Sequence, residues 1–235
     1  MIFPHSFSRT LMTLTMALPG SLFAFTFSTD FSKDVPDAPP TGAVLSGTSI
    51  GSVIKVVDAS TAPEDPFGID GNKSLLFEKN EEGLNEIPKA QWENLPDLTA
   101  GKLTFTVLSI KEAAGIFVSP VFVANLSQNG KNGVMAGLAG DSLILRDGKS
   151  NVYVKGVWLP NEPNTFEIAF SVPSQTYTVK LNGEPVKTAD GKSEFSFNTN
   201  ITSGFNQLGF SVADFSNRST RVFLDKFEVT AETTP

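Results

Sequence analysis

Short runs of alternating apolar and polar residues recur along this chain, separated by Gly, Asn, Asp and Pro, while helical spacing is scarce. The clearest run covers residues 101–110, where Leu103, Phe105 and Val107 alternate with polar neighbours. A period of two predicts half-buried β-strands. The pattern predicts some twelve short strands and an all-β protein.

The sequence gives a strong signal for one turn, at Asn182-Gly183. The alternating residues Tyr177, Val179 and Leu181 run directly into Asn182-Gly183, and both turn residues tolerate positive φ, so a tight hairpin is expected. So many short strands predict two packed antiparallel sheets, because a single open sheet would leave one apolar face bare. We expect most of the 20 phenylalanines to fill the space between the sheets.

The first 24 residues have the pattern of a secretory signal peptide. Arg9 precedes an apolar stretch at residues 11–18, and Pro19 and Gly20 break it before Ala24. The alternative, a membrane anchor, needs about 20 apolar residues, and this run is shorter. The sequence predicts a signal peptide (1–24), one β-sandwich domain (25–230) and a frayed tail (231–235), in a secreted or periplasmic protein without a membrane span.

The predicted leader changes the chemistry available to the rest of the chain. His5 is the sole histidine of the 235 residues, and there is no cysteine. An exported domain would therefore lack Ser-His-Asp and Cys-His catalysis, zinc sites built from His and Cys, and disulfides. With a formal net charge of −7, the chain lacks the basic footprint of a nucleic-acid binder. Neutral glycans, or anionic glycans bridged by a cation, are the easier partners.

Asp225 is the polar residue that most needs an explanation. Strict alternation along residues 221–229 predicts that it shares a face with Phe223 and Phe227. Three explanations stay open: an edge strand lets the carboxylate reach water, it accepts hydrogen bonds from backbone amides, or it binds Ca²⁺. Asp30 and Asn72 are the candidates for completing such a calcium site.

Four segments in this order resemble the concanavalin A-like or laminin-G-like jelly-roll modules of secreted bacterial proteins. They are residues 27–42, 71–76 (Gly-Asn-Lys-Ser-Leu-Leu), 176–183 (Thr-Tyr-Thr-Val-Lys-Leu-Asn-Gly) and 222–229 (Val-Phe-Leu-Asp-Lys-Phe-Glu-Val). The resemblance implies a two-sheet antiparallel jelly-roll β-sandwich whose concave face or rim loops bind glycans. It also implies that a structural Ca²⁺ sometimes joins the two ends of the chain, with Asp225 as a ligand.

That superfamily also contains glucanases and alginate lyases. The glucanase pattern Glu-x-Asp-x-x-Glu, which sets two carboxylates on one strand face, does not occur in this sequence. The acidic pairs Glu64-Asp65 and Glu81-Glu82 lie in loop-like sequence, where solvated charges are the usual interpretation. A lyase using Tyr153 or Tyr177 with Lys or Arg is conceivable, although Tyr177 fits the core better.

Sugar recognition commonly uses an exposed aromatic ring flanked by polar side chains. The candidates for ligand binding are Trp92, Trp158 and Tyr153, together with Arg146 just before the last of these. For each ring the alternative is a buried packing role.

The leading hypothesis is a secreted, non-catalytic glycan-binding module. The alternatives are a structural or adhesive protein that binds a protein partner, and a divergent polysaccharide lyase or glycoside hydrolase.

Overall fold

The structure is a computed structural model, and it describes residues 13–15, 23–61, 64–67, 71–80, 86–110, 121–213 and 220–233. These residues contain seventeen strands and no helix, so none of them forms a helix that could cross a bilayer. The strands are β1 (Thr13–Thr15), β2 (Phe23–Thr29), β3 (Val44–Ser46), β4 (Ser52–Asp58), β5 (Lys73–Lys79), β6 (Lys89–Trp92), β7 (Leu98–Ile110), β8 (Val121–Gln128), β9 (Lys131–Ala139), β10 (Ser142–Asp147), β11 (Ser150–Lys155), β12 (Asn164–Ser171), β13 (Thr176–Leu181), β14 (Glu184–Pro185), β15 (Glu194–Ser196), β16 (Gln207–Ala213) and β17 (Thr220–Thr233).

The described strands form two antiparallel sheets. The ten-stranded sheet has the order β1-β2-β17-β7-β12-β13-β14, with β15 added beside β13 and the β4–β5 hairpin joined to β17 through β5. The seven-stranded sheet has the order β11-β10-β9-β8-β16-β6-β3. The predicted all-β sandwich is confirmed, and the alternating runs at residues 52–57, 73–78 and 101–110 are strands β4, β5 and β7.

One core fills the space between the sheets. Alternate residues of both sheets point into it, as in Phe105 and Phe166 of the ten-stranded sheet, whose rings stack 4.7 Å apart. Phe210 of the seven-stranded sheet meets Phe105 edge-on at 5.4 Å. A second, smaller cluster lies on the other side of the ten-stranded sheet and consists of Val57, Leu76, Leu108 and Phe223.

The predicted hairpin at Asn182-Gly183 is confirmed. The two residues have φ angles of 51° and 88°, as a tight turn of the type I′ kind requires. Leu181 then pairs with Glu184 as β14 begins. The Asn182 side chain also caps the neighbouring strand, because its Oδ1 accepts the Thr165 N–H at 2.8 Å.

Strand β17 exchanges partners on one of its edges. It pairs with β7 along its whole length, whereas its other edge pairs first with β5 and then with β2. Where the exchange occurs, Leu224 pairs with Val107 and Lys226 with Thr106, so that Asp225 is left as an extra residue. This is a β-bulge.

The bulge corrects the predicted environment of Asp225. An extra residue reverses the alternation, so Phe223 and Phe227 point to opposite sides of the sheet. Leu224 and Phe227 both belong to the main core, while Phe223 belongs to the smaller cluster. The prediction that Asp225 shares one face with both phenylalanines is therefore wrong.

The predicted C-terminal tail is contradicted, whereas most of the predicted signal peptide lies outside the described residues. Strand β17 continues through residues 231–233, where Ala231 and Thr233 are buried, so these residues are not a frayed tail. They are ordered because they pair with both β2 and β7. Residues 1–12, 16–22 and 234–235 lie outside the described residues. The signal peptide stays a prediction, although β1, within it, pairs with β2.

Candidate functional site

The Asp225 bulge brings together three polar side chains from separate segments, and we name them the Asp225 junction. Asn72 precedes β5, Asp65 lies in the loop after β4, and Asp225 is the extra residue of β17. The Asn72 Nδ2 group donates to Asp65 Oδ2 at 2.8 Å and to Asp225 Oδ1 at 3.0 Å. Two buried carboxylates therefore share one amide group.

The positive charge near the Asp225 carboxylate is too small to offset its burial. Burial raises the pKa of Asp225, and the nearby Asp65 and Asp30 raise it further, against the opposing effects of the Asn72 hydrogen bond and Lys226. Asp30 is close enough to act on Asp225, but its own carboxylate accepts from the Ser32 amide and hydroxyl at 3.0 and 2.7 Å.

The structure brings the predicted metal ligands near one another and adds Asp65, which was not predicted. Asn72 contacts Asp225 directly, Asp30 lies at the edge of the cluster, and Asp65 was missed because its loop-like sequence suggested a solvated charge. Asp65 is buried and hydrogen-bonded. Within the described residues, His, Cys, Asp and Glu side chains do not converge in threes as a metal would require. A metal role for Asp225 stays a prediction that needs Asn72 or backbone oxygens.

A polar groove of about 790 Å³ crosses the outer face of the ten-stranded sheet. Its floor consists of outward-facing residues of four adjacent strands, and its wall is formed by residues 30–34 with Thr41. The wall is held in place, since Lys73 Nζ donates to the Asp34 carbonyl at 2.6 Å and the Asp34 carboxylate accepts the Thr41 N–H at 3.0 Å. The groove is therefore a preformed feature of the fold.

Two carboxylates flank the centre of the groove floor. Glu167 of β12 and Glu228 of β17 both pair with Thr104 of β7, so all three share one face. Hydrogen bonds from Lys102 and Lys180, each 3.2 Å from Glu167, lower the pKa of that carboxyl. Glu167 is thereby held ionised, which is the opposite of what a glycosidase requires of its general acid.

The outer face of the seven-stranded sheet, which we name the seven-strand face, carries two predicted ligand residues. Tyr153 of β11 is 56% exposed and lies opposite Ile144 of β10. Arg146 lies two positions further along β10, on the same face. Its Nη1 donates to the Lys149 carbonyl at 3.2 Å, and its buried Nε has no partner among the described residues.

Two glycines in the middle of the seven-strand face are closely covered by protein, since a Cβ would meet the Phe122 carbonyl oxygen at Gly137 and the Lys89 side chain at Gly209. Gly137 pairs with Val123, and Gly209 pairs with Asn125. Asn125 points away from the core, since its neighbours Ala124 and Leu126 belong to the core. Its side chain is 8% exposed, and its Oδ1 atom is buried without a hydrogen-bond partner in the described structure. Such an acceptor costs free energy until a donor reaches it. The sequence analysis did not select Asn125.

Neither tryptophan is an exposed platform, so the packing alternative holds for both rings. Trp92 is 4% exposed, stacks edge-on 4.7 Å from Phe227 and donates its Nε1–H to the Thr41 carbonyl at 3.3 Å. Trp158 is 6% exposed and belongs to the main core. The polar sequence neighbours of Trp92 do not reveal its burial, because residues distant in the sequence cover the ring.

Comparison with solved structures identifies the fold. A sialidase matches with a TM-score of 0.65 at 10% identity over 88% of this chain, and this chain covers 18% of that one. A cellulose induced protein matches at 0.56 and 13% identity, covering 86% of this chain and 96% of that one. Peanut lectin matches at 0.56 and 10% identity, covering 90% and 99%. The predicted two-sheet antiparallel jelly-roll β-sandwich is confirmed, and at these identities the likeness concerns the fold alone.

A scan against protein-family models and a search of curated proteins found no match.

Proposed function

We propose that this protein is an exported, non-catalytic carbohydrate-binding module that holds its glycan on the seven-strand face. The observation that carries the proposal is that Tyr153, Arg146 and the unpartnered Asn125 lie on the same outer face of a two-sheet jelly roll. The neighbouring lectin and sialidase folds are consistent with it but do not extend their ligands to this chain.

The chemistry of the face suits a sugar. An exposed tyrosine ring offers an apolar surface to one side of a pyranose, and its hydroxyl offers a hydrogen bond. The Asn125 Oδ1 atom has no hydrogen-bond partner among the described residues, and a glycan hydroxyl would relieve that cost if the atoms covering it moved on binding.

The non-catalytic part of the proposal rests on residue chemistry. An exported domain without His5 has no histidine or cysteine for proton transfer or nucleophilic attack. A structural Ca²⁺ at the Asp225 junction is a further part of the proposal, supported by hard oxygen ligands around an electrostatically uncompensated carboxylate.

Retention of the purified protein on immobilised neutral and anionic polysaccharides tests the proposal. We expect Tyr153→Ala and Asn125→Ala each to weaken retention about tenfold, equivalent to about 1.4 kcal/mol. Ile50→Ala, at a 90% exposed position outside the face, is the control and should bind as the unaltered protein does. Failure to bind any polysaccharide, or retention unchanged in both face variants, would contradict the proposal.

A further inference from the structure

We infer that the groove on the ten-stranded sheet is a second ligand site, separate from the seven-strand face, and that it takes a neutral, hydroxyl-rich chain such as an uncharged oligosaccharide. The inference goes beyond the proposed function, because the two sites lie on opposite outer faces of the sandwich and share no residue.

The size of the groove fits an extended ligand. Its volume of about 790 Å³ lies within the usual range of ligand sites, about 300–1,000 Å³. Its floor spans β2, β17, β7 and β12. Three spacings between neighbouring strands amount to about 14 Å, so a chain lying across the strands would contact all four.

The groove floor carries several hydroxyl groups and one carboxylate, Glu228, that accepts only one long hydrogen bond within the described residues. Thr106 and Thr165 share a hydrogen bond of 3.0 Å between their hydroxyl oxygens, and Thr104 lies beside them on the same face. Glu228 accepts one long bond of 3.4 Å from Thr230, and no ion pair to it occurs within the described residues. Carboxylates and hydroxyls side by side supply the acceptors and donors that sugar hydroxyls use.

The charges of the groove favour an uncharged ligand. The lining contains three lysines, Lys33, Lys102 and Lys226, and four carboxylates, Asp30, Asp34, Glu167 and Glu228. Lys102 is already paired with Glu167. Since both signs are interspersed along the groove, a ligand carrying a charge on every unit would meet repulsion somewhere along its length.

The aromatic residues that line the groove are all buried. Phe27, Phe31 and Trp92 are each at most 6% exposed, so no described ring presents a face to a ligand. Binding would therefore depend on hydrogen bonds to the edge of the chain, in contrast to the stacking that Tyr153 offers on the seven-strand face. The fixed wall at Asp34 and Thr41 reduces the entropy lost on binding.

Two sites on opposite faces would make one domain bivalent. Such a module could join two polysaccharide chains, or bind one surface with an apparent affinity above that of either site.

The test is an NMR titration in the Tyr153→Ala/Asn125→Ala double variant, which isolates the groove from the proposed glycan face. The probes are linear neutral hexasaccharides of glucose, xylose and mannose, with hexagalacturonate as the charged probe. We expect saturable shifts at the amides of Thr104, Thr106 and Glu228 with at least one neutral probe. The charged probe should bind at least tenfold more weakly.

Two groove variants make the assignment specific. Glu228→Ala and Thr104→Trp, built on the double variant, should each weaken binding at least tenfold, while Glu184→Ala on the exposed β14 should leave it unchanged. Because Glu228 is exposed, its variant should remain folded even if the tryptophan is not tolerated. No groove shifts with any neutral probe, binding unaltered in Glu228→Ala, or preference for hexagalacturonate would each overturn the inference. Polysaccharide retention by the Tyr153→Ala single variant tests the proposed function and not this inference, so the two hypotheses can fail separately.

Discussion

At the scale of single residues, the Tyr177 hydroxyl shows how one polar group can tie two sheets together. Tyr177 belongs to β13 of the ten-stranded sheet, and its hydroxyl accepts the Arg146 N–H of the other sheet at 2.9 Å. It also donates towards the carbonyl of Met135 at 3.0 Å. Burial raises the pKa of Tyr177 above its ordinary value, so the hydroxyl keeps its proton.

We expect Tyr177→Phe to lower the free energy of unfolding by about 1–3 kcal/mol, because the Arg146 N–H would lose its partner inside the protein. Urea unfolding followed by circular dichroism measures this. The matched control is Tyr153→Phe, which removes the same atom from the exposed tyrosine and should change stability by less than about 0.5 kcal/mol. Equal effects of the two substitutions would contradict the bridging role of Tyr177.

Residue types and their alternation predicted only part of the candidate site. Alternation identified Tyr177 as core, and it placed Arg146 and Tyr153 at positions that the structure brings to one face. It could not tell that Trp92 is covered by the loop containing Thr41, because that contact joins segments 51 residues apart. Asn125 was missed for a related reason: an unpaired side-chain oxygen is a property of packing.

At the scale of elements, the bulge in β17 marks where the sequence pattern stops being informative. Each strand segment on either side of Asp225 alternates regularly, but the single inserted residue changes which side the later residues face. Nothing in the residue types signals the insertion. The role of the bulge is seen only in the strand pairing. The pairing of β5 with β17 ends before Asp225, and the pairing of β2 with β17 begins after it.

The proposed calcium site at the Asp225 junction belongs to this scale, since a bound ion would join three elements. We expect Ca²⁺ to raise the melting temperature and a chelator to lower it, with about 2.7 kcal/mol of stabilisation at a hundredfold excess over Kd. Asp225→Asn should abolish the response. Asp190→Asn, in an exposed turn far along the chain, should preserve it. An unchanged melting curve with Ca²⁺ and with chelator would rule out the site.

At the scale of the whole molecule, topology creates neighbours that no local pattern contains. Glu167 and Glu228 are 61 positions apart in the chain, yet the strand order β12-β7-β17 places them on either side of Thr104. The two-sheet architecture followed from the number of alternating strands, whereas the groove depends on their order. The sequence therefore predicted the sandwich and not the groove on its ten-stranded sheet.

The distribution of ionisable groups predicts how stability depends on pH. Hydrogen bonds from Ser32 and from Lys102 and Lys180 lower the pKa of Asp30 and Glu167, respectively. Their stabilising effect is complete above the unfolded values of 3.8 and 4.5 and is lost as pH falls through the lower folded values. Asp225, with a raised pKa, acts in the opposite direction.

We therefore expect a melting temperature that is nearly constant between about pH 6 and 8, because the predicted exported domain contains no histidine. It should fall as the solution is acidified below 4.5. Glu167→Gln should make that fall shallower. Calorimetry across this range measures the effect, and a steep change near neutral pH would disagree with the assignment of the carboxylates as the controlling groups.

The position of β17 in the chain has a consequence for biosynthesis. This strand follows all of its partners in the order of translation, and it supplies hydrogen bonds to β2, β5 and β7. Until it emerges from the ribosome, those three strands have edges with nothing to pair with, so the larger sheet cannot be assembled piece by piece as the chain grows. The parts of the sheet that contain β2, β5 and β7 can join only once β17 has been synthesised.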